Sequence, residues 1–497
     1  MSHILHVTWF TFFQATLSTL MALFVGLPAA FFCGRRRFFG RKVLLSLSAV
    51  PFCIPSLLIA LGYVTFLGMN GGLNHFLMFV FGFKKPPVTI LYSFVGLIIA
   101  HGFYNFSLIM KNVSEAWERI PTEPAESARL LGASEARIFR TVTIHQLMTS
   151  IASSSLLVFI YCFLSFVLVL LFGGLGNSTL EVEIYKAGRA TLNYPQMWSL
   201  AGLETFVLIV VTVFYISIET KTSGRVQGLV SGEWNVRIKL QSFTERVVFA
   251  LFLLLICVFF VAPLLGIVFN AFAANHVRAD IKRTGFTLET FRRVFKMKTF
   301  WPSVHTSFIV ACCSGMLCTL VGFLYSVFLK TISYKREYKS NLIFKIIPML
   351  PMSISSVVVG ILITLMVRRG NVAHLVAAQV FLTWPLAYRI IYPTLSKISR
   401  DTMDSAVLMS RGWWDVVYRI YLPIGIEPCL TAFGFCFAAS AGDTTLPLVL
   451  SIPKFDTLSL FTYRLAGAYK FNEACAAGVV LGLMCGLVFV ITGRRKK

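Results

Sequence analysis

A protein that does chemistry must bring nucleophiles, bases or metal ligands together, and this sequence offers few of them. Its eight histidines (His3, His6, His75, His101, His145, His276, His305 and His374) are scattered, and none stands at a metal-ligand spacing from another His or a Cys on one helix face. The eleven cysteines fall in or beside apolar runs. Cys312 and Cys313 are adjacent and no C-x-x-C pair occurs, so they read as small core residues rather than a disulfide framework. Neither a G-x-x-x-x-G-K-[ST] loop nor any Gly-Lys dipeptide occurs, which removes the P-loop route to holding ATP. The expectation is a chain with no catalytic residues, no cofactor and no metal. What remains is a pair of carboxylates, Glu204 and Asp443, each inside a long apolar run. An acid there is costly, and it either lines a path or is paired. Both are candidates for a route through the apolar interior, with pairing to an Arg or a backbone cap as the alternative. His101 and His374 pose the same choice between pore groups and buried, hydrogen-bonded side chains.

The other conspicuous residues sit in two polar, mixed-charge islands between uncharged runs: Glu126 to His145, ESARLLGASEARIFRTVTIH, and Asp404 to Pro423, DSAVLMSRGWWDVVYRIYLP. Each carries small residues just after an acid. In the first these are Glu126, Ser127, Ala128 and Gly132. In the second they are Asp404, Ser405, Ala406 and Ser410, followed by Gly412, which can break a helix. Trp413, Val416, Val417 and Ile420 recur at helical spacing, so each island is predicted to fold as two short helices with a bend, lying at a membrane surface.

The rest of the sequence must position these features, and its composition says how. Of 497 residues, 57% are hydrophobic, 14% aromatic and only 13% charged, where a soluble domain has about 25% charged. This is a polytopic membrane protein. Windows long enough to cross a hydrocarbon core, about 20 residues each, lie near 9–33, 44–67, 88–110, 149–173, 198–218, 247–270, 303–329, 346–367, 371–393, 425–450 and 473–492. They predict eleven helices and an all-α fold, since no ten-residue alternation suggests a barrel. Pro28, Pro51, Pro55, Pro348 and Pro351 predict kinks. No basic region precedes the first apolar run, so that span is expected to stay in the membrane.

Charge orients the spans. Of the 45 Lys and Arg, 29 fall on the connections that include both islands, the 219–246 segment and the C-terminal tail, against 16 on the opposite side, where 271–302 with Arg278, Arg283, Arg292 and Arg293 is the exception. The positive-inside rule puts the islands and the C-terminus in the cytoplasm and the N-terminus outside. The net charge of +24 is mostly this topology signal, and no nucleic acid partner is expected.

The sequence also repeats. At an offset of 278, Ala100 meets Ala378, Phe103 meets Phe381, Ile120 meets Ile398, Ser127-Ala128 meets Ser405-Ala406, and Tyr185-Lys186 meets Tyr463-Arg464. Upstream the offset is 296, so that Pro55 faces Pro351 and Gly26 faces Gly322, which leaves an 18-residue excess in the outer loop Met69 to Pro87. The expected division is a first half 1–218 of five helices with its island in 115–146, a cytoplasmic linker 219–246, a joining helix and outer loop 247–302, and a second half 303–497 of five helices with its island in 394–423. A parallel repeat of this kind reads as a pseudo-twofold pore.

The islands resemble the cytoplasmic loop of importer-type ABC-transporter permeases: Glu-Ala-Ala, three residues, Gly, nine residues, Ile-x-Leu-Pro. The second matches with Asp404, Ser405, Ala406, Ile420, Leu422 and Pro423, and has Ser410 where the Gly belongs. The first matches with Glu126, Ser127, Ala128 and Gly132, then Val142 and Ile144, with His145 in place of Pro. Over nearly its whole length the chain is similar to fused thiamine permeases, a branch close to those for ferric iron. The supporting stretches are Ala100 to Asn105, Phe163 to Phe166, Gly173-Gly174, Thr179 to Tyr185, Ser440 to Asp443, Phe455 to Leu458 and Tyr463 to Tyr469. Such permeases carry a twelfth helix at the N-terminus that these residues do not include.

The resemblance implies a permease in the bacterial cytoplasmic (inner) membrane. It would work with two copies of an ABC ATPase subunit seated on the two islands and with an extracytoplasmic solute-binding protein. ATP-driven closure of the ATPase pair would rock the halves between outward-facing and inward-facing states. Trp413-Trp414 would anchor the second island at the interface. Thiamine, an aromatic cation, would favour acids such as Glu204 and Asp443 along its path. The segments Asn177 to Tyr194 and Ser451 to Lys470, amphipathic and repeat-related, are expected to dock the binding protein. A ferric-iron permease, a secondary carrier relaying protons through Glu204, Asp443, Glu427 and a few His, a membrane enzyme, and plain juxtamembrane turns with no partner are the alternatives.

Overall fold

The computed structural model describes residues 2–47, 54–121, 123–172, 178–227, 238–239, 242–273, 286–335, 341–367 and 370–493. Pro51, Cys53, Gly173-Gly174, His276, Arg278, Arg283, Arg368, Arg369, residues 228–237 and 240–241 of the 219–246 linker and the basic tail lie outside these residues. Among the described residues ten helices are long and apolar enough to cross a membrane. A bent pair, Phe344–Ser353 and Ser356–Met366, meets at 80° and makes an eleventh where the two are taken as one broken span. The protein is thus an all-α polytopic membrane protein. Its described strands are Arg36–Arg37 and Ile238–Lys239, a two-residue parallel pair, and a single bridge joins Ala273 to Phe286.

The local differences from expectation have physical causes. The second span, expected near 44–67, runs over Ser56–Phe81. Pro55 disfavours helix in the residue before it, so the helix starts at Ser56. The residues that read as excess outer loop form a further helix, Gly72–Phe81, after a turn in which Gly71 N donates to Gly68 O at 2.8 Å. Pro348 and Pro351 do more than kink their span: they sit in a 3-10 turn, Ile347–Ser353, and Ser355 restarts the helix by accepting from Val357 N and Val358 N. Pro28 stays inside one unbroken helix, Ser2–Arg35. The spans expected at 149–173 and 425–450 are each interrupted. Ile144–Phe163 is followed by Val167–Phe172, and Leu422–Gly442 by Thr445–Leu450, two breaks that coincide at the 278-residue offset.

The chain divides into two compact units. One comprises Met1–Pro51, Gly62–Glu183 and Phe206–Gly266, the other Phe52–Leu61, Ile184–Thr205 and Ile267–Lys497. In the first, Val25, Ala29, Cys33, Leu44, Phe103, Phe106, Met110, Ile256 and Phe260 form a buried cluster, so the helices Ser2–Arg35 and Phe94–Glu118 share a core with the joining helix. In the second, Cys318, Phe323, Ala387, Ile391, Leu395, Met403, Val416, Tyr421 and Cys436 do the equivalent.

Two glycines test the repeat registers at atomic scale. A Cβ on Gly26 would lie 2.8 Å from Ile109 Cβ, and one on Gly322 would lie 2.8 Å from Ala387 Cβ. Gly26 and Gly322 are 296 apart and Ile109 and Ala387 are 278 apart, so each unit makes the same close helix crossing with the same positions. Lipid supplies no hydrophobic drive between helices, and close backbone approach at small residues takes its place.

Candidate functional site

Both islands fold as two short helices with a bend. The first is Glu123–Leu130, then Glu135–Ile138, then a π-helical turn Phe139–Thr143 that runs into Ile144–Phe163. The second is Arg400–Met409, then Trp413–Val416, then the π-helical turn Val417–Tyr421 into Leu422–Gly442. The π turns fall at the same repeat position, and such turns interrupt a helix ladder where an element is re-aimed.

The bends differ. Gly132 is left-handed at φ 78°, and its neighbours close the helix with Gly132 N to Arg129 O at 2.9 Å and Ala133 N to Ala128 O at 3.0 Å. Ser410, its counterpart, is extended at φ −89°. Gly412, expected to break the helix, is itself extended at the start of Trp413–Val416. Its counterpart Ser134 caps Glu135–Ile138, accepting from Arg137 N.

Glu126, Ser127, Gly132, Asp404, Ser405 and Gly412 are exposed, and Ala128, Ala406 and Ser410 are half-buried. Sequence reasoning passed over the residues that protrude most. Leu130 and Leu131 are 90% and 88% exposed, and Leu408 and Met409, their counterparts at offset 278, are 86% and 87% exposed. The signal was present as an apolar pair at the same place in two otherwise polar islands. Trp413 and Trp414 are exposed beside them.

Inside the spans, the polar residues gather at the two helix breaks. In the first unit Gln14 Nε2 donates to His101 Nδ1 at 2.8 Å, which leaves the other ring nitrogen to donate to Ser165 Oγ at 2.7 Å. In the second, Gln379 occupies the His101 position. Ser314 and Ser440 hydroxyls donate to its Oε1 at 2.9 and 2.5 Å, and its Nε2 donates to Asp443 Oδ2 at 3.3 Å. Asp443 stands at the Ser165 position and caps Thr445–Leu450, accepting from Thr445 N and Leu446 N at 3.0 and 3.2 Å. The geometry at Asp443 is thus the backbone cap, and at His101 the hydrogen-bonded interior group. His374 completes a capping box with Asn371 at the start of Val372–Ser396. Glu204 is fully buried on the helix Tyr194–Gln227.

The two segments expected to dock a partner are more embedded than surface strips. Leu180, Glu181, Val182, Ile184, Ala187 and Gly188 are buried, as are Leu458 to Thr462, while exposure is confined to Lys186, Ala190–Pro195, Ser451, Pro453-Lys454, Arg464 and Gly467–Lys470. A hydroxyl of the first long helix of each half caps the embedded helix. Thr11 Oγ accepts from Leu180 N at 3.0 Å, and Ser307 Oγ from Leu458 N at 2.7 Å, again at offsets 296 and 278.

Two repeated halves of membrane helices, each with an exposed island between its third and fourth spans, define a class, and comparison with known proteins assigns it. The model of the binding-protein-dependent transport system inner membrane component matches residues 26–222 and 322–494. The chain belongs to that family; it is an ABC importer permease, a multi-pass protein of the bacterial inner membrane. It is similar to the thiamine transport system permease protein ThiP of Brucella abortus (strain 2308), 25% identical over 99% of this chain and 88% of that one. It is similar also to ThiP of Escherichia coli (strain K12), 24% identical over 99% of this chain and 89% of that one. A putative 2-aminoethylphosphonate transport system permease protein PhnU of Salmonella typhi is 28% identical over 35% of this chain and 60% of that one. Among solved structures, a bacterial ABC transporter involved in the import of the acidic polysaccharide alginate matches at a TM-score of 0.37 and 15% identity, covering 51% of this chain and 97% of that one.

Proposed function

We propose that this chain is the permease of an ATP-driven importer for thiamine or its phosphate esters. The observation that carries the substrate is the similarity to thiamine permeases over 99% of the chain, where the phosphonate permease covers 35%. In this reading an extracytoplasmic binding protein delivers the solute, and two copies of an ABC ATPase hydrolyse ATP, one on each island. The chain itself carries no nucleotide site and no cofactor. The N-terminus is outside and the C-terminus cytoplasmic, in keeping with an odd number of spans. The halves are 1–218 and 303–497, joined through 219–246 and 247–302.

The coupling surface in this reading comprises Glu126, Ser127, Ala128 and Gly132 in one island, and Asp404, Ser405, Ala406, Ser410 and Gly412 in the other. To these the structure adds a reason for affinity. Leu130-Leu131 and Leu408-Met409 are exposed apolar pairs on polar helices, and burying such a pair in a groove of another subunit removes it from water. Glu204 and Asp443 remain the acids assigned to the solute path. Asp443 serves it by fixing the helix break, because its oxygens are already engaged with Gln379 and the backbone.

The deciding measurement is uptake of labelled thiamine and of ferric iron in cells lacking the gene, with the gene restored on a plasmid. Restored thiamine uptake with unchanged iron uptake supports the assignment, and the opposite result transfers the chain to the iron branch. Copurification of an ATPase subunit separates the importer from a secondary carrier.

A further inference from the structure

Each half ends its first long helix beside its own island, and in each a side chain reaches across. In the first unit the helix is Ser2–Arg35, and Arg35 Nη2 lies 3.6 Å from Glu135 Oε2. Glu135 also accepts from Arg129 Nε and Nη2 at 2.5 and 3.2 Å. One carboxylate therefore ties together the long helix and both short helices of the island. That hydrogen bond raises the Arg129 guanidinium above its ordinary range, as an engaged ion pair should. In the second unit the helix is Phe300–Lys335, and the Tyr334 hydroxyl donates to Asp404 Oδ1 in Arg400–Met409. The Tyr334 ring packs against the cluster that contains Met403.

These fastenings are not copies of one another. At the 296-residue offset Tyr334 corresponds to Phe38, which has no hydroxyl, and Arg35 corresponds to Thr331. Glu135 corresponds at 278 to Trp413, and Asp404 to Glu126. Each half connects the same two elements through different positions and different chemistry. Inherited packing would have placed the contact at equivalent positions. In the first unit the connection also continues: Arg36 forms an ion pair with Glu245 in the first turn of Phe243–Ile256, and Arg36–Arg37 pair with Ile238–Lys239. Adjacent arginines thus reach the island and the joining helix.

We propose that Arg35 and Tyr334 are positioning residues, each fastening one island to the first long helix of its half so that a displaced island carries that helix with it. The proposal rests on the reading of the islands as ATPase docking sites. It adds which span receives the displacement and through which side chains.

The test uses the full chain with its copurified ATPase in vesicles, with labelled thiamine as the solute, and Tyr334→Phe and Arg35→Gln as variants. Tyr334→Phe keeps the packed ring and removes only the hydroxyl. The expected result is a rise of about two- to fivefold in ATP hydrolysed per thiamine transported, with an unchanged KM for thiamine, the size an exposed polar contact supports. In the chain alone, Tyr334→Phe speeds amide hydrogen exchange across Arg400–Met409, and Arg35→Gln does so across Glu135–Ile138. A wild-type ratio in both variants overturns the proposal. If the wild-type chain retains no ATPase, the docking reading fails by itself, and the fastening is decided by exchange, with unchanged rates in both variants overturning it.

Discussion

The two islands share a plan and differ in how firmly they are held. Arg400–Met409 buries Met403, at 1% exposure, in the core that also holds Ile398, Val416 and Tyr421, and half-buried Ala406 packs on the same cluster. Glu123–Leu130 buries no side chain. The counterpart of Met403 at offset 278 is Ala125, too short to reach inward, so the leading helix of the first island depends on the ions Arg129, Glu135 and Arg35, whereas Ile138 and its counterpart Val416 are buried in both islands. Burial is local and insensitive to salt, whereas exposed ion pairs contribute about 0–1 kcal/mol and are screened. The leading helix is therefore packed into its unit in one island, the packed arm, and held electrostatically in the other, while the protruding apolar pairs at the tips are kept in both. Under the proposed function, what is common belongs to docking, and what differs belongs to how each half responds.

The comparison breaks first at the tips. Replacing Leu408 and Met409 together by Asp should lower ATPase retention about thirtyfold, the loss of roughly 2 kcal/mol expected of an interface anchor. Leu130 and Leu131 replaced together should do the same, since both pairs are equally exposed. Retention measured by copurification decides it; if only one pair matters, the islands are not equivalent docking sites. Next comes the packed arm. Met403→Ala should cost about 2–5 kcal/mol through the cavity it leaves, read as a lower unfolding midpoint of the purified chain. Ala125→Gly should cost no more than about 1 kcal/mol. Equal shifts would remove the distinction between a packed and an unpacked arm.

Much of this was legible in advance, and the reasons are local. The 296-residue offset aligned Gly26 with Gly322, and the structure adds their matched crossings on Ile109 and Ala387, because close approach demands a particular residue type at a particular place. The island helices followed from the helical spacing of Trp413, Val416, Val417 and Ile420 and from the glycines that permit a bend. The helix breaks at Leu164 and Asp443 were not foreseen, since the runs 149–173 and 425–450 are apolar enough on average to read as single spans and periodicity cannot show where a backbone turns inside a membrane. Nor could the sequence choose between path and cap for Asp443, as the choice depends on Gln379 and Ser440, more than sixty residues away in the case of both contacts to Gln379. The fastenings were out of reach for the same reason, being long-range and placed differently in the two halves.

The smallest effects sharpen the comparison further. Gly132 at φ 78° has open space around its Cα, so Gly132→Ala meets backbone strain of about 1–2 kcal/mol with no steric clash. Gly412 also has open space but is extended and stands at the N-cap of Trp413–Val416, so Gly412→Ala meets no left-handed strain and should cost about 0.5–1 kcal/mol through the poorer cap. Salt provides the finest discrimination. Raising ionic strength from about 0.15 M to 1 M shortens the screening length from about 8 Å to 3 Å. The Arg35–Glu135–Arg129 group should then loosen, and amide exchange across Glu123–Ile138 should rise by no more than about twofold. Exchange across Arg400–Met409 should change less, because Met403 and the Tyr334 ring hold that helix by burial and packing. If salt released both islands equally, burial would not be what distinguishes them, and the second island would depend on Asp415 and Arg419, paired at 2.6 Å on its surface.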